Sequence, residues 1–276
     1  HHTVGKFLPN IAYLDKQWVL DNFNEIYSQT NGEVFSAAID GYFLYNNQPN
    51  KFLFDLFEQR QIFEKCLDEN HKTISSDAIK NVINHLLIAY LLEFKNAELN
   101  SKAIQHLFSN KTERIYSTII YFFWDTQHRI PAHLKPKIGE IWETIFKDCI
   151  QLKSKEIDSM ILSGTCKWLN TLEKLETKFF EMIKSSIPFI IQRDRIFLYD
   201  ALEKHINEAP NYVANVLLLL FKKGVTYDIS RGKINKMVEY LFQNNEVEIA
   251  NEICLIHAEN GIDFLKELYN KYKKSI

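Results

Sequence analysis

The fold is decided by residues 119–149, which read IIYFFWDTQHRIPAHLKPKIGEIWETIFKDC. In the second half of this stretch, apolar residues recur at the spacing of one face of a helix. This stripe comprises Leu134, Ile138, Ile141, Trp142, Ile145, Phe146 and Cys149. A second apolar face precedes a short turn that contains Pro131 and Pro136, and it comprises Ile115, Ile119, Phe122 and Phe123. The stretch therefore predicts two helices packed across a turn, with the indole of Trp142 facing the earlier helix.

Helix and strand compete at residues 118–124. The segment is rich in β-branched and aromatic residues, which favour strands. We predict a helix, because Glu113 and Arg114 lead into the segment without turn residues and no second strand is evident elsewhere. A lone strand would leave its backbone donors and acceptors unpaired.

The same pattern of short amphipathic helices continues along the chain, and it predicts about fourteen of them. Asp15 and Asp194 are predicted N-caps, because short polar side chains accept hydrogen bonds from the first free amides of a helix. Ser75, Ser76 and Asp77 are predicted to start a helix. Pro210 suits a helix start and Gly224 a helix end. The clearest stripe follows Ser75 and comprises Ile79, Val82, Ile83, Leu86, Leu87, Tyr90 and Phe94.

These elements predict an all-α fold. Short loops place sequential helices antiparallel, and the clearest pairs recur at intervals of roughly 40 residues, as in HEAT-type repeats. We expect an irregular α-solenoid of antiparallel helix pairs (HEAT/TPR-like), with a compact multi-helix bundle as the alternative. Residues 3–276 would form one helical-repeat domain, and a polar link at 151–155 offers a division into sub-arrays 3–150 and 155–276. Residues 1–2 resemble a tag remnant, so we expect a piece of a longer chain.

Composition excludes several classes of protein. The chain has 276 residues, of which 46% are hydrophobic, with only 8 Gly and 6 Pro. This scarcity of turn residues argues against a β-sandwich or barrel. A net charge of −2 provides no bulk field for nucleic acid or an anionic membrane. The longest apolar runs, 85–94 and 213–221, are far shorter than the roughly 20 residues that span a bilayer. We expect a cytoplasmic protein.

Metal binding is not expected. The four cysteines lie far apart without a CxxC pair: Cys66, Cys149, Cys166 and Cys254. Most lie on or beside apolar stripes, which indicates buried thiols in a reducing compartment. His128 and His133 flank the turn near Asp125 and offer a metal site as the alternative. Solvated histidines are favoured there, because no cysteine is nearby. No cofactor is predicted.

Catalytic motifs are missing from the sequence, which contains no GxxxxGK[ST], GxGxxG, HExxH or GxSxG. His85 lies beside an apolar stripe and is predicted to be a core histidine with one hydrogen-bonded nitrogen. The helix-surface carboxylates include Glu140, Glu143, Glu173 and Glu176. The basic clusters are Lys135/Lys137, Lys222/Lys223 and Lys271/Lys273/Lys274, and the last two complement helix C-termini. We therefore predict no catalytic, cofactor-binding or metal-binding residue.

The four tryptophans lie on or next to apolar stripes, and each is predicted to be core: Trp18, Trp124, Trp142 and Trp168. For Trp124, which lies at the end of its helix, a surface position is the alternative. No residue can be assigned to partner binding from the sequence.

Several segments resemble the C-terminal helical regions of large bacterial defence proteins. These segments are WVLDNF (18–23), AAIDGYFLYNN (37–47) with Pro49, IIYFFWDTQ (119–127), KIGEIWETIF (137–146), CKWLNTLEKLE (166–176) with IPFI (187–190), YDIS (227–230) and EIANEICLIHAENGIDFLKELY (248–269). The similar regions belong to signal-transduction NTPases with numerous domains (the STAND class) and to related sirtuin-like anti-phage proteins. The resemblance implies a sensor or scaffold that binds an invader's protein and relays assembly to an N-terminal effector.

Three functions can be compared as expectations. The first is a non-catalytic recognition module that binds a phage protein through its helical surface. The alternative is an architectural or oligomerisation scaffold, which packs against other domains of the parent chain and has no ligand of its own. A third, an enzyme with dispersed catalytic residues, has no motif in its favour. Neither nucleic acid nor a membrane is an expected partner.

Overall fold

In the computed structural model, residues 1–28, 30–68, 73–174, 176–224 and 230–273 are described, and this part of the chain is helical without strands. The predicted all-α fold is confirmed, and residues 118–124 are helical. Contacts divide the chain into two compact units, His1–Phe122 and Phe123–Ile276. The polar link at 151–155, predicted as a division between sub-arrays, lies inside the second unit.

The first unit contains seven complete helices in its described part. They are α1 (His2–Leu14), α2 (Lys16–Ile26), α3 (Gly32–Tyr45), α4 (Lys51–Gln59), α5 (Ile62–Leu67), α6 (Ser76–Leu91) and α7 (Lys102–Ser109). The next helix, α8 (Glu113–Thr126), contains the boundary between the units. Asp15 caps α2 as predicted, because its side chain accepts from the backbone amide of Trp18. Ser75 caps α6, because its side chain accepts from the backbone amide of Ala78.

The helix α1 was not predicted. Gly5 and Pro9 are poor helix residues, and Pro9 also lacks one backbone donor. Packing on α3 compensates for both. A Cβ atom at Gly5 would overlap the carbonyl of Ala38, and one at Gly41 would overlap the carbonyl of His2. The two backbones therefore touch, which only glycine at these positions permits.

Aromatic rings fill the core of the first unit. Phe57 has its ring centroid 4.9 Å from that of Tyr42 and 5.2 Å from that of Tyr27. Phe54 and Phe63 lie 4.9 Å apart across the corner between α4 and α5. These contacts pack α4 against α5 across the corner near residues 59–61.

The second unit continues with shorter helices. They are a 3-10 helix (Ala132–Leu134), α9 (Lys135–Cys149), α10 (Lys155–Thr165), a 3-10 helix (Cys166–Asn170), α11 (Thr177–Ser186), a 3-10 helix (Ile187–Phe189), α12 (Gln192–His205), α13 (Pro210–Lys223), α14 (Arg231–Gln243), α15 (Val247–Glu259) and α16 (Lys266–Lys273). Pro136 lies in the first turn of α9, not in the preceding loop. Pro210 opens α13 and Gly224 ends it, as predicted.

Two tryptophans form the centre of the second unit. Trp142 is 1% exposed and stacks on Phe179, with ring centroids 5.4 Å apart. Trp168 lies edge-on to Trp142 at 6.5 Å and to Phe123 at 5.1 Å. The core position predicted for Trp142 is confirmed. Its aromatic neighbours Trp168 and Phe179 come from segments that follow it in the chain, and the sequence prediction had not included them.

The predicted cap at Asp194 is wrong. Asp194 lies inside α12 and is 3% exposed. Its carboxylate accepts from the Ser163 hydroxyl at 2.6 Å and pairs with the Lys167 ammonium at 2.8 Å. Lys167 belongs to the 3-10 helix that follows α10. The buried ion pair holds this 3-10 helix to α12.

Long-range side-chain hydrogen bonds follow a regular interval in both units. In the described residues these bonds join positions from 28 to 45 apart, as in Ser163 with Ile191 and Glu58 with Ala103. In the second unit α11 packs on α13 and α13 on α15, while α12 packs on α14 and α14 on α16. Each of these helices contacts the next but one, which is the pattern of stacked helix pairs.

Candidate functional site

The turn histidines are solvated, as the sequence predicted. His128 and His133 are exposed, and Asp125 pairs with Arg129 at 2.7 Å. Within the described ranges no group of three His, Cys, Asp or Glu side chains could hold a metal ion.

His85 is a core histidine, as predicted. Its Nε2 lies 2.6 Å from the carbonyl oxygen of Asn46, and the side chain is 1% exposed. The carbonyl can only accept, so Nε2 carries the proton in the neutral ring. Burial lowers the pKa of His85 to about 4. The ring is neutral at physiological pH and holds the C-terminal end of α3 to α6.

The cysteines are free and buried, as predicted for Cys66, Cys149 and Cys254. Burial raises the pKa of Cys166 and of Cys254 to about 12. The thiolate is the nucleophilic form, so these thiols are chemically inert at neutral pH.

The carboxylates considered above take part in surface ion pairs. Glu173 pairs with Lys135 at 2.8 Å, and Lys178 bridges Glu143 and Glu176. The lysine clusters are also engaged, since Lys222 pairs with Glu252 and Lys271 with Glu239, each at 2.7 Å. Lys274 lies outside the described residues, as do residues 227–229 of the YDIS segment. Exposed pairs of this kind contribute little to stability and do not indicate catalysis.

The prediction of a core position is wrong for Trp18, which is 40% exposed. Trp124 is half-buried, with its ring centroid 5.2 Å from that of Phe197. Trp18 lies in α2, where only one narrow face is buried, and its indole falls outside that face. An apolar stripe alone does not distinguish a core tryptophan from one at the edge of the stripe.

Trp18 belongs to an exposed apolar surface on α1 and α2. Tyr13 is 89% exposed and Leu14 is 82% exposed, at the junction between the two helices. We call Tyr13, Leu14 and Trp18 the junction surface. Leu20 is also exposed, but it lies two residues from Trp18 and therefore on the opposite side of α2. At the other end of α1, the Lys6 ammonium lies 4.2 Å from the ring centroid of Tyr45, which is also exposed. The junction surface is not evident from the sequence, because the first helix is predicted to begin only after Asp15.

A polar cleft of about 410 Å³ opens elsewhere in the first unit, where three segments meet. They are the corner between α4 and α5, the loop that follows α6, and the first turn of α7. Gln61 turns the corner with a left-handed backbone, φ 56°. The lining is polar and includes Glu58, Lys95, Asn96, Glu98, Ser101 and Lys102. No sequence motif indicated this cleft, because its parts are distant in the chain.

Glu58 is the unusual group of the cleft. Its Oε1 accepts from the backbone amide of Ala103 at 3.5 Å, in the first turn of α7. Its Oε2 and the Ser101 hydroxyl are buried, and neither has a hydrogen-bond partner among the described residues. Burial, followed by the charge of Glu64, raises the pKa of Glu58 to about 7. The amide of Ala103 and the charge and amide of Lys102 act in the opposite direction, because they lower the pKa of Glu58.

The buried ion pair of the second unit is a closed structural cluster by comparison. Arg195 donates to the carbonyl of Gly224 at 2.6 Å, and Lys223 donates to the carbonyl of Ile190 at 2.7 Å. Together with the Lys167–Asp194 pair, these bonds hold α12 and α13 to the segments before and after them. Their geometry serves packing.

No protein-family model, curated protein or solved structure matches this chain. Among the described helices, none has the length and apolar character that crossing a membrane would require. The proposed function therefore depends on the geometry above and on the resemblance noted in the sequence.

Proposed function

We propose that this chain is a non-catalytic protein-recognition module, in which an irregular α-solenoid presents an exposed apolar surface to a partner protein. The observation that carries the proposal is the junction surface on α1 and α2. Exposed apolar side chains that are grouped together are typical of interaction sites. Tryptophan and tyrosine are also enriched among the residues that contribute most to binding energy.

The stacking of alternate helices supports the solenoid. Stacked repeats contact mainly their neighbours, so long-range contacts fall at about one repeat length. The observed intervals of 28 to 45 residues agree with this expectation. Such an array offers a long surface of defined shape without any need for catalytic geometry.

The resemblance to STAND-class and sirtuin-like defence proteins supports a phage protein as the partner. Residues 119–127 and 248–269 of this chain are among the segments that resemble the C-terminal helical regions of those proteins. The resemblance associates these regions with sensing. Under this proposal the module acts in the bacterial cytoplasm, and any NTPase or effector chemistry belongs to other domains of a longer chain.

Affinity capture from phage-infected cells tests the proposal. We expect the full chain to retain a phage protein, and the double variant Leu14→Ser, Trp18→Ser to lose it. Both side chains are exposed, so the variant should keep its helical content and melting temperature. Leu255→Ser is the matched control, because Leu255 is an exposed leucine of the second unit.

The architectural alternative predicts a different result. If the chain retains only its own copies or its parent protein, and the double variant behaves like Leu255→Ser, the recognition proposal is wrong. Loss of capture by both variants would also contradict a site at the junction surface.

A further inference from the structure

We propose that the outer face of α1 binds an amphipathic helix of the partner protein, which lays its own apolar stripe along α1. Four apolar side chains form this face, and we call them the α1 stripe: Val4, Phe7, Ile11 and Leu14. Leu14 also belongs to the junction surface, so this inference rests on the recognition function proposed above. It specifies the kind of segment that the partner presents.

The α1 stripe borders the face that α1 already buries, and α3 is the helix on which α1 packs most extensively. The buried residues of α1 are Gly5, Leu8 and Ala12. Val4, Phe7 and Ile11 each precede one of these residues, so they lie about 100° further around the helix axis. The stripe thus repeats the spacing of three and four residues that α1 uses in its buried contact. This spacing is typical of a helix seam that packs on a second helix.

Solvent reaches the α1 stripe, although its side chains are apolar. Phe7 is 48% exposed and Leu14 is 82% exposed, whereas Val4 and Ile11 are half-buried at the border with the core. A helix face that remains in water usually carries polar side chains. The described part of α16 has such a face, with exposed Lys266, Glu267, Asn270 and Lys271. The α1 stripe lacks this character, and a covering apolar surface would remove it from water.

A helix is the segment that fits the stripe best. The described part of the chain contains no strand, so an extended segment has no sheet edge here to which it could add. Thr3 and Asn10 lie beside the stripe on the side away from the core, and both are exposed and uncharged. A second helix can therefore approach without meeting a like charge. Its docking would continue the helix-on-helix packing that joins α1 to α3.

A membrane surface is a weaker candidate for the stripe. Helices that lie in a membrane interface are rich in lysine and arginine on their polar face. Lys6 is the one lysine or arginine in the sequence of α1, and its ammonium lies 4.2 Å from the ring centroid of Tyr45. The charge of α1 therefore offers little attraction for anionic lipid.

Calorimetric titration of the full chain with a designed peptide tests the inference. The probe is a blocked peptide of two heptads, with leucine at the first and fourth positions of each heptad and glutamate, lysine and alanine elsewhere. The control peptide has the same composition, with its leucines distributed around the helix. We expect saturable binding of the probe, accompanied by a gain of helical circular dichroism, and no binding of the control.

Substitution of Phe7 locates the binding, because Phe7 belongs to the α1 stripe but not to the junction surface. Phe7→Ser should weaken the affinity for the probe by about tenfold or more. Phe7→Leu keeps an apolar side chain and should retain most of the affinity. Leu255→Ser, at an exposed leucine of the second unit, should leave the affinity unchanged. Circular dichroism melting verifies that each variant folds.

The inference is overturned if the probe does not saturate, if the control peptide binds equally well, or if Phe7→Ser binds the probe as tightly as the original chain does. Sedimentation velocity that shows a dimer, dissociated by Phe7→Ser, would assign the stripe to a second copy instead. Binding to vesicles of phosphatidylcholine and phosphatidylserine, abolished by Phe7→Ser, would assign it to a membrane. Either result also overturns the inference.

Failure here is distinguishable from failure of the proposed function. A phage protein captured from infected cells, without any binding of the probe, leaves recognition standing and removes the helix as the docked segment. Binding of the probe without a captured phage protein supports the helix site and contradicts recognition of a phage protein.

Discussion

At the scale of single residues, burial determines the protonation of His85. Its pKa lies at about 4 in the folded chain, below the ordinary value of 6.5. The unfolded chain therefore takes up a proton between pH 6.5 and pH 4 that the folded chain does not. Stability from this residue is present above pH 6.5 and is lost as the pH falls toward 4.

We expect the free energy of unfolding to fall by about 3 kcal/mol across this window through His85 alone. His85→Gln retains an N–H donor for the carbonyl of Asn46 but has no proton to gain. Urea denaturation between pH 4 and pH 7 should show a shallower acid loss in this variant. The same slope in both proteins would contradict a neutral, buried ring.

Trp142 is the second residue whose environment gives a direct prediction. It is 1% exposed and stacked on Phe179, so truncation leaves a cavity among packed rings. Trp142→Ala should cost about 3–5 kcal/mol and lower the melting temperature sharply. Trp18→Ala is the control, since its side chain is 40% exposed and should change stability far less. Equal melting curves for the two variants would show that Trp142 is not core.

At the scale of elements, the contact between α1 and α3 is set by two glycines. Gly41 leaves no room for a Cβ beside the carbonyl of His2. Gly41→Ala should therefore separate the helices and lower the free energy of unfolding by about 1–3 kcal/mol. Chemical denaturation followed by circular dichroism measures this change.

Gly232→Ala is the control for that substitution. Gly232 lies near the start of α14, and a Cβ there meets nothing within 4 Å. Because alanine favours helix over glycine, this variant should be neutral or more stable by up to about 1 kcal/mol. A Gly41→Ala variant as stable as Gly232→Ala would contradict the close packing of α1 on α3.

The helices show which features a sequence can reveal. The stripe around Trp142 and the cap at Asp15 were predictable, because periodicity and capping are local properties. The helix α1 was not, because packing on α3 overrides the poor propensities of Gly5 and Pro9. Asp194 resembled a cap in sequence, but its true partners lie about 30 residues earlier in the chain.

The cleft was beyond sequence reasoning for a related reason. Glu58 and Ser101 come from helices separated by the whole of α6, and neither belongs to a motif. The burial of Glu58 Oε2 and of the Ser101 hydroxyl arises only when the corner between α4 and α5 meets the first turn of α7. Side-chain burial within an amphipathic helix is predictable, whereas the meeting of distant loops is not.

At the scale of the whole molecule, we propose that the all-helical chain recognises a protein partner through its exposed apolar side chains. The described helices use many of their hydrogen-bonding groups and charges for contacts with other helices of the chain. The junction surface stands apart, because large parts of its apolar side chains are exposed. Recognition at this surface is the central claim.

The most direct test is photo-crosslinking from the surface itself. A benzoyl-phenylalanine placed at Trp18 of the full chain, in phage-infected bacteria, should form a light-dependent adduct with a phage protein. The same probe at Leu255 of α15, also exposed, should form no such adduct. Adducts only between copies of the chain, or equal adducts from both positions, would contradict recognition at the junction surface.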